Sequence, residues 1–127
     1  METKAVPVEK KLGFFARNKY HKILGEIKGS APDQYKVFDM TKGWFARKYP
    51  EKAVEIAGRM ITHTDTLGIT KAAELSEYLV DKGKVEASAK IVAMVEGAKV
   101  EGMHVPKDAM EILSRVNGKL HNFRQSD

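Results

Sequence analysis

Residues 53–69 read AVEIAGRMITHTDTLGI, and residues 87–103 read ASAKIVAMVEGAKVEGM. The two stretches align 34 residues apart: Ala53, Met60, Gly68 and Ile69 recur as Ala87, Met94, Gly102 and Met103. A fixed period in the thirties is what stacked helix-turn-helix units produce. One such unit leaves an apolar face open, so neighbouring units stack and share a core. The chain therefore reads as a scaffold or adaptor before it reads as an enzyme.

Ala53, Ile56, Ala57, Met60 and Thr64 form the inward stripe of a helix opened by Pro50, whose fixed φ suits a first turn. Leu67-Gly68-Ile69 reads as the turn that closes it. A helix from Thr70 to Asp81 follows, with Ala72, Leu75, Tyr78 and Leu79 inward. Lys82-Gly83-Lys84 is a glycine C-cap with cations near the negative helix end. Val85 to Val100 carries Ala87, Ile91, Met94, Val95 and Ala98, and Gly102 closes it. Pro106 opens a last helix striped by Ala109, Ile112, Leu113, Val116 and Leu120. From about Asn122 the tail is polar and is expected to fray.

Upstream, Val8, Leu12, Phe15, Ala16, Tyr20, Ile23, Leu24 and Ile27 keep helical spacing. Gly25 weakens that helix by about 1 kcal/mol relative to Ala. Gly29 to Asp33 stops it, and Ser30 with Asp33 resembles a capping box for the next helix. That second helix runs from Pro32 to Lys48 and buries Val37, Phe38, Thr41, Trp44 and Phe45. It ends at Tyr49, because the residue before Pro50 avoids the α region. No segment alternates with period two for long enough to make a strand. The expected fold class is all-α, with six helices as three antiparallel helix-turn-helix pairs. The whole chain, 1–127, forms one domain: a basic amphipathic helix over 1–30, helical pairs over 31–120 and a polar tail over 121–127.

A chain of 127 residues has room for one modest core. It holds no run of about 18 apolar residues, so no helix spans a membrane. It has no Cys, which excludes disulfides and thiolate metal sites. The charge is uneven: residues 1–50 carry eleven Lys or Arg against five acids, a net +6, and the remainder carries −1. Eight of the ten aromatic residues share the basic half, with only Tyr78 and Phe123 outside it. A basic, aromatic half joined to a near-neutral repeat points to a partner surface. Val8 to Ile27 has the basic amphipathic character of a mitochondrial targeting segment. Glu9 and Glu26 favour an ordinary structured helix instead.

The repeats resemble degenerate pentatricopeptide units, relatives of tetratricopeptide units. Ala53-Val54-Glu55-Ile56-Ala57-Gly58-Arg59-Met60 is similar to the second helix of such a unit. Gly102-Met103-His104-Val105-Pro106-Lys107-Asp108 echoes its closing turn with added residues. Gly83-Lys84-Val85-Glu86-Ala87 resembles the turn between paired helices. The likeness covers about residues 35–120 and implies a short right-handed helical solenoid. The stretch from Met to Gly is one helical turn longer than in typical units. Glu74 lies near the position where RNA-reading units present Asn, Ser or Thr to a base; a carboxylate there repels phosphate. Leu75 to Val100 is also loosely similar to the central helices of cytochrome c oxidase subunit Va. The pentatricopeptide-like accessory subunit of the euglenozoan mitochondrial ATPase is a comparison of the same kind. These resemblances imply a structural subunit on the matrix side of a mitochondrial assembly.

No phosphate-binding loop, zinc-protease motif or nucleophile elbow is present. His21, His63, His104 and His121 stand far apart, and none has metal-ligand spacing. His63-Thr64-Asp65 places a His near a carboxylate at an expected helix end. Met60, Met94 and Met110 read as core by their helical spacing. Gly13-Phe14-Phe15-Ala16-Arg17 and Gly43-Trp44-Phe45-Ala46-Arg47 echo one another, each setting aromatics beside an Arg. The expected partner-binding residues are Lys10, Lys11, Phe14, Arg17, Lys19, Tyr20, Lys22, Trp44, Arg47 and Lys48. No catalytic residue, metal, cofactor or small-molecule substrate is expected. The first functional expectation is a non-catalytic accessory subunit of a larger, mitochondrial energy-converting complex, bound to its protein subunits. The alternative is an RNA-contacting repeat protein, such as a mitochondrial ribosomal subunit or RNA-processing cofactor.

Overall fold

The structure is a computed structural model that describes residues 11–29, 32–62 and 66–125, with the side chains of 124 and 125 outside the description. Among the described residues it is all-helical, with seven helices: α1 (Phe14–Lys28), α2 (Gln34–Thr41), α3 (Trp44–Lys48), α4 (Pro50–Thr62), α5 (Thr66–Asp81), α6 (Val85–Val100) and α7 (Lys107–Gln125). Val8, Ser30, His63, Thr64 and Asp65 lie outside the described residues.

The expected second helix is two. It breaks at Lys42 and Gly43, where Gly43 takes φ +99°, a conformation that strains any residue with a Cβ. Thr41 closes α2 by donating its hydroxyl to the Val37 carbonyl at 2.7 Å. Asp33 caps the start of α2, accepting the Lys36 N–H at 3.2 Å, while its own N–H donates to Glu26 Oε2 at 3.1 Å. Asp33 thus links the two helices, its side chain capping the start of α2 and its backbone N–H reaching the Glu26 carboxylate near the end of α1.

The second correction concerns Leu67-Gly68-Ile69. These residues lie inside α5, which starts at Thr66 rather than Thr70. Gly68 is buried where α5 crosses the end of α4; a Cβ on it would sit 2.3 Å from the Met60 carbonyl oxygen. Its role is close helix approach rather than a turn. Gly83 and Gly102 do serve as C-caps, at φ +79° and +93°. Each is followed by a residue whose N–H reaches back five positions, Lys84 to Leu79 O at 2.8 Å and Met103 to Ala98 O at 3.0 Å. That pattern is a Schellman motif. The equivalent punctuation is therefore Gly83 and Gly102, not Gly68 and Gly102.

The helices bury one connected core from Ala16 to Leu120. α5 packs against α4 and α6, and also against α2 and α7; α4 packs against α6 and α1. Ala53, Ile56, Ala57 and Met60 of α4 and Ala72, Leu75 and Leu79 of α5 are fully buried. Burying each Ile or Leu side chain stabilises the fold by about 1.5–3 kcal/mol. The buried hydroxyl of Ser88 on α6 donates to the Ser76 carbonyl of α5 at 2.7 Å, so polar groups at this crossing are paired. Met94 and Tyr78 are only half-buried, unlike the inward positions expected of them. α7 continues through Asn122 to Gln125, where a frayed tail was expected. Its carboxyl-terminal half is tied to α5 by Lys119, which bonds Asp81 at 2.8 Å and Glu77 at 3.1 Å.

Candidate partner-binding face

The two echoing pentapeptides open two helices in the same way. Gly13 and Gly43 are the N-cap residues of α1 and α3. Their carbonyls accept the N–H groups of Arg17 at 2.8 Å and Arg47 at 3.0 Å. In both, the first helical residue is exposed, Phe14 at 71% and Trp44 at 42%, and the Ala two residues later is buried. The copies part at the middle position: Phe45 is fully buried, while Phe15 is 78% exposed. Helical spacing predicts Phe15 and Trp44 on inward stripes, although Trp44 also stands among the expected partner-binding residues; both are exposed. In a helix, adjacent residues point about 100° apart, so two neighbouring aromatics cannot share one narrow inward stripe. Phe14 and Phe15 stack edge to face on each other, with centroids 5.5 Å apart.

An aromatic knot holds α1 to α3 and α4. The Tyr20 ring lies parallel to Phe45 at 6.5 Å, and Phe45 meets Tyr49 at 5.7 Å. The Tyr20 hydroxyl donates a short hydrogen bond to Glu55 Oε2. Tyr49 Oη accepts the Gly13 N–H at 3.2 Å. Tyr20 therefore anchors the face from behind and is half-buried. Lys19 bridges the two helices, its Nζ 5.2 Å from the centre of the Trp44 ring. This cation–π contact makes the α1 and α3 surfaces continuous.

Lys11, Arg17, Lys22, Arg47 and Lys48 are exposed, with Lys48 Nζ 5.7 Å over the Tyr49 ring. Lys10 lies outside the described residues. The acid of α1, Glu26, is engaged by Lys36 at 3.4 Å and by the Asp33 N–H. Among the described residues, Lys11, Arg17, Lys22 and Arg47 form no ion pair. Several carboxylates of the other helices are matched at home. Glu51 meets Lys90 at 3.1 Å, Glu74 meets Lys71 at 3.1 Å, and Glu77 meets both Arg115 and Lys119. Arg115 grips Glu77 through two hydrogen bonds of 3.0 and 2.9 Å. That grip, aided by Lys119 and opposed by burial, holds the Glu77 carboxyl down at about 2. Among the described residues, the cations of α1 and α3 thus have no unpaired carboxylate on their own helices, whereas the unpaired Lys84, Lys99 and Lys107 stand beside the unpaired Glu86, Glu101 and Asp108.

Among the described residues no three His, Asp or Glu side chains come together as a metal site. None of their helices is long and apolar enough to cross a membrane. Glu74, expected from the sequence resemblance near a base-reading position, is half-buried and tied to Lys71, whose Nζ also sits 4.4 Å over the Tyr35 ring. Compared with known protein families, curated proteins and solved structures, the chain matches none.

Proposed function

We propose that this chain is a non-catalytic accessory subunit that docks, through the outward faces of α1 and α3, onto an acidic protein surface of a larger assembly. The observation that carries the reading is the pairing of Phe14 and Phe15, 71% and 78% exposed, with neighbouring cations that lack carboxylate partners. Aromatic and Arg side chains supply most of the binding energy in protein interfaces, and unmatched charge steers the encounter. Among the described helices, packing falls mostly between neighbours in the chain and elements shortly beyond them, which is compatible with a short stack of helical pairs; its right hand and pentatricopeptide type are what the sequence resemblance implies. By the same resemblance the assembly is a mitochondrial energy-converting complex, approached from the matrix side.

The test replaces Lys11, Arg17, Lys22 and Arg47 with Glu in the full chain. All four are exposed, so the helical circular dichroism should be unchanged. The reading expects the variant to leave the assembly that retains the wild type, with the partner subunits identified by mass spectrometry. Tight, sequence-selective RNA binding by the wild type, falling steeply with salt as counterions are released, would instead support an RNA-contacting function.

A further inference from the structure

Between α6 and α7 lies an open groove of about 680 Å³. Buried Leu113 and half-buried Met110 form its floor; exposed Glu96, Lys99 and Asn117 form its rim. Val100 stands beside it, 86% exposed, more than any other large apolar side chain described. Deeper in the fold, a helix such as α5 is covered by α2, α4, α6 and α7. No described element covers this groove.

The rim charges identify what fits. Glu96 and Lys99 are one turn apart on the same helix, yet no ion pair joins them. Glu96 accepts only a long hydrogen bond from Asn117 Nδ2, at 3.4 Å, and Lys99 has no partner among the described residues. A partner of one charge sign satisfies one rim residue and repels the other. A second copy related by a two-fold axis satisfies both, because Glu96 of each chain then faces Lys99 of the other. Val100, Met110 and Leu113 of each copy would add apolar area to such a pair. We infer that the α6–α7 groove is a self-association surface, through which two copies of this chain pair isologously.

The groove is short, which places the pair among weak interfaces. Sedimentation equilibrium of the full chain should therefore extend to about 1 mM, where a dissociation constant of that size still gives abundant dimer. The wild type should dimerise with rising concentration. Glu96→Lys and Lys99→Glu should each weaken self-association about tenfold or more, since each turns two attractions into two repulsions. Mixed in equal amounts, the two variants should restore association, because one chain carries two cations at the rim and the other two carboxylates. Circular dichroism of each variant controls for folding. A wild type that stays monomeric throughout overturns the inference. So does a dimer indifferent to both single changes, or a mixture that forms no heterodimer.

Discussion

At the scale of single residues, glycines separate two uses that look alike in sequence. Gly68 lies against the Met60 carbonyl, with Gln34 Nε2 3.1 Å from where its Cβ would go. Gly68→Ala forces two backbones apart, and overpacking of this kind costs about 1–3 kcal/mol, outweighing the helix-propensity gain. Gly118 on α7 has nothing within 4 Å of its Cβ position. Gly118→Ala should therefore stabilise by up to about 1 kcal/mol. Urea denaturation of the two variants gives opposite signs if both assignments hold. The two repeat methionines also part company. Met60 is fully buried, so Met60→Ala should cost about 2–5 kcal/mol. Met94 is half-buried, with its sulfur 3.4 Å from the Gly58 Cβ position, so Met94→Ala should cost clearly less in the same titration. The 34-residue echo marked both as inward. It carried no information on whether a neighbouring helix covers each one.

At the scale of elements, the sequence was most legible where caps and apolar stripes agree. α6 begins and ends at Val85 and Val100, as the Gly83 cap and the apolar spacing dictate. The 32–48 segment was not legible as two helices, because its apolar stripe runs through the break and only Gly43 marks it. Gly43 takes φ +99° with open space around its Cβ position. Gly43→Ala should thus destabilise through backbone strain alone, by about 1–3 kcal/mol, measured by thermal or chemical unfolding. The α5–α7 tie gives a pH signature. Glu77 is held at about 2, below its ordinary 4.5. A depressed carboxyl stabilises above its unfolded value, and that contribution fades as pH falls from about 4.5 towards about 2. Glu77→Gln should lower Tm at neutral pH and flatten this acid limb, with the two proteins converging near pH 2. A parallel pair of Tm–pH curves would show that the Arg115 grip adds nothing in solution.

At the scale of the whole molecule, the charge split was plain in sequence, but its spatial consequence was not. Composition placed the excess cations in residues 1–50 without showing that Glu51, Glu74, Glu77 and Asp81 beyond them are held by local cations while α1 and α3 keep no unpaired acid. It placed the aromatics there too, without dividing them into the knot of Tyr20, Phe45 and Tyr49 and the outward Phe14, Phe15 and Trp44. That division depends on which side of α1 meets α3 and α4, a tertiary fact. The outward set is what the docking account rests on. Carbodiimide coupling tests it most directly, since it joins a Lys amine only to a carboxylate in contact with it. Applied to the native assembly and read by mass spectrometry, it should link Lys11, Lys22 and Lys48 to Asp or Glu residues of another protein. Links to a foreign chain only from Lys82, Lys84 or Lys107, with α1 and α3 uncoupled, would contradict the account.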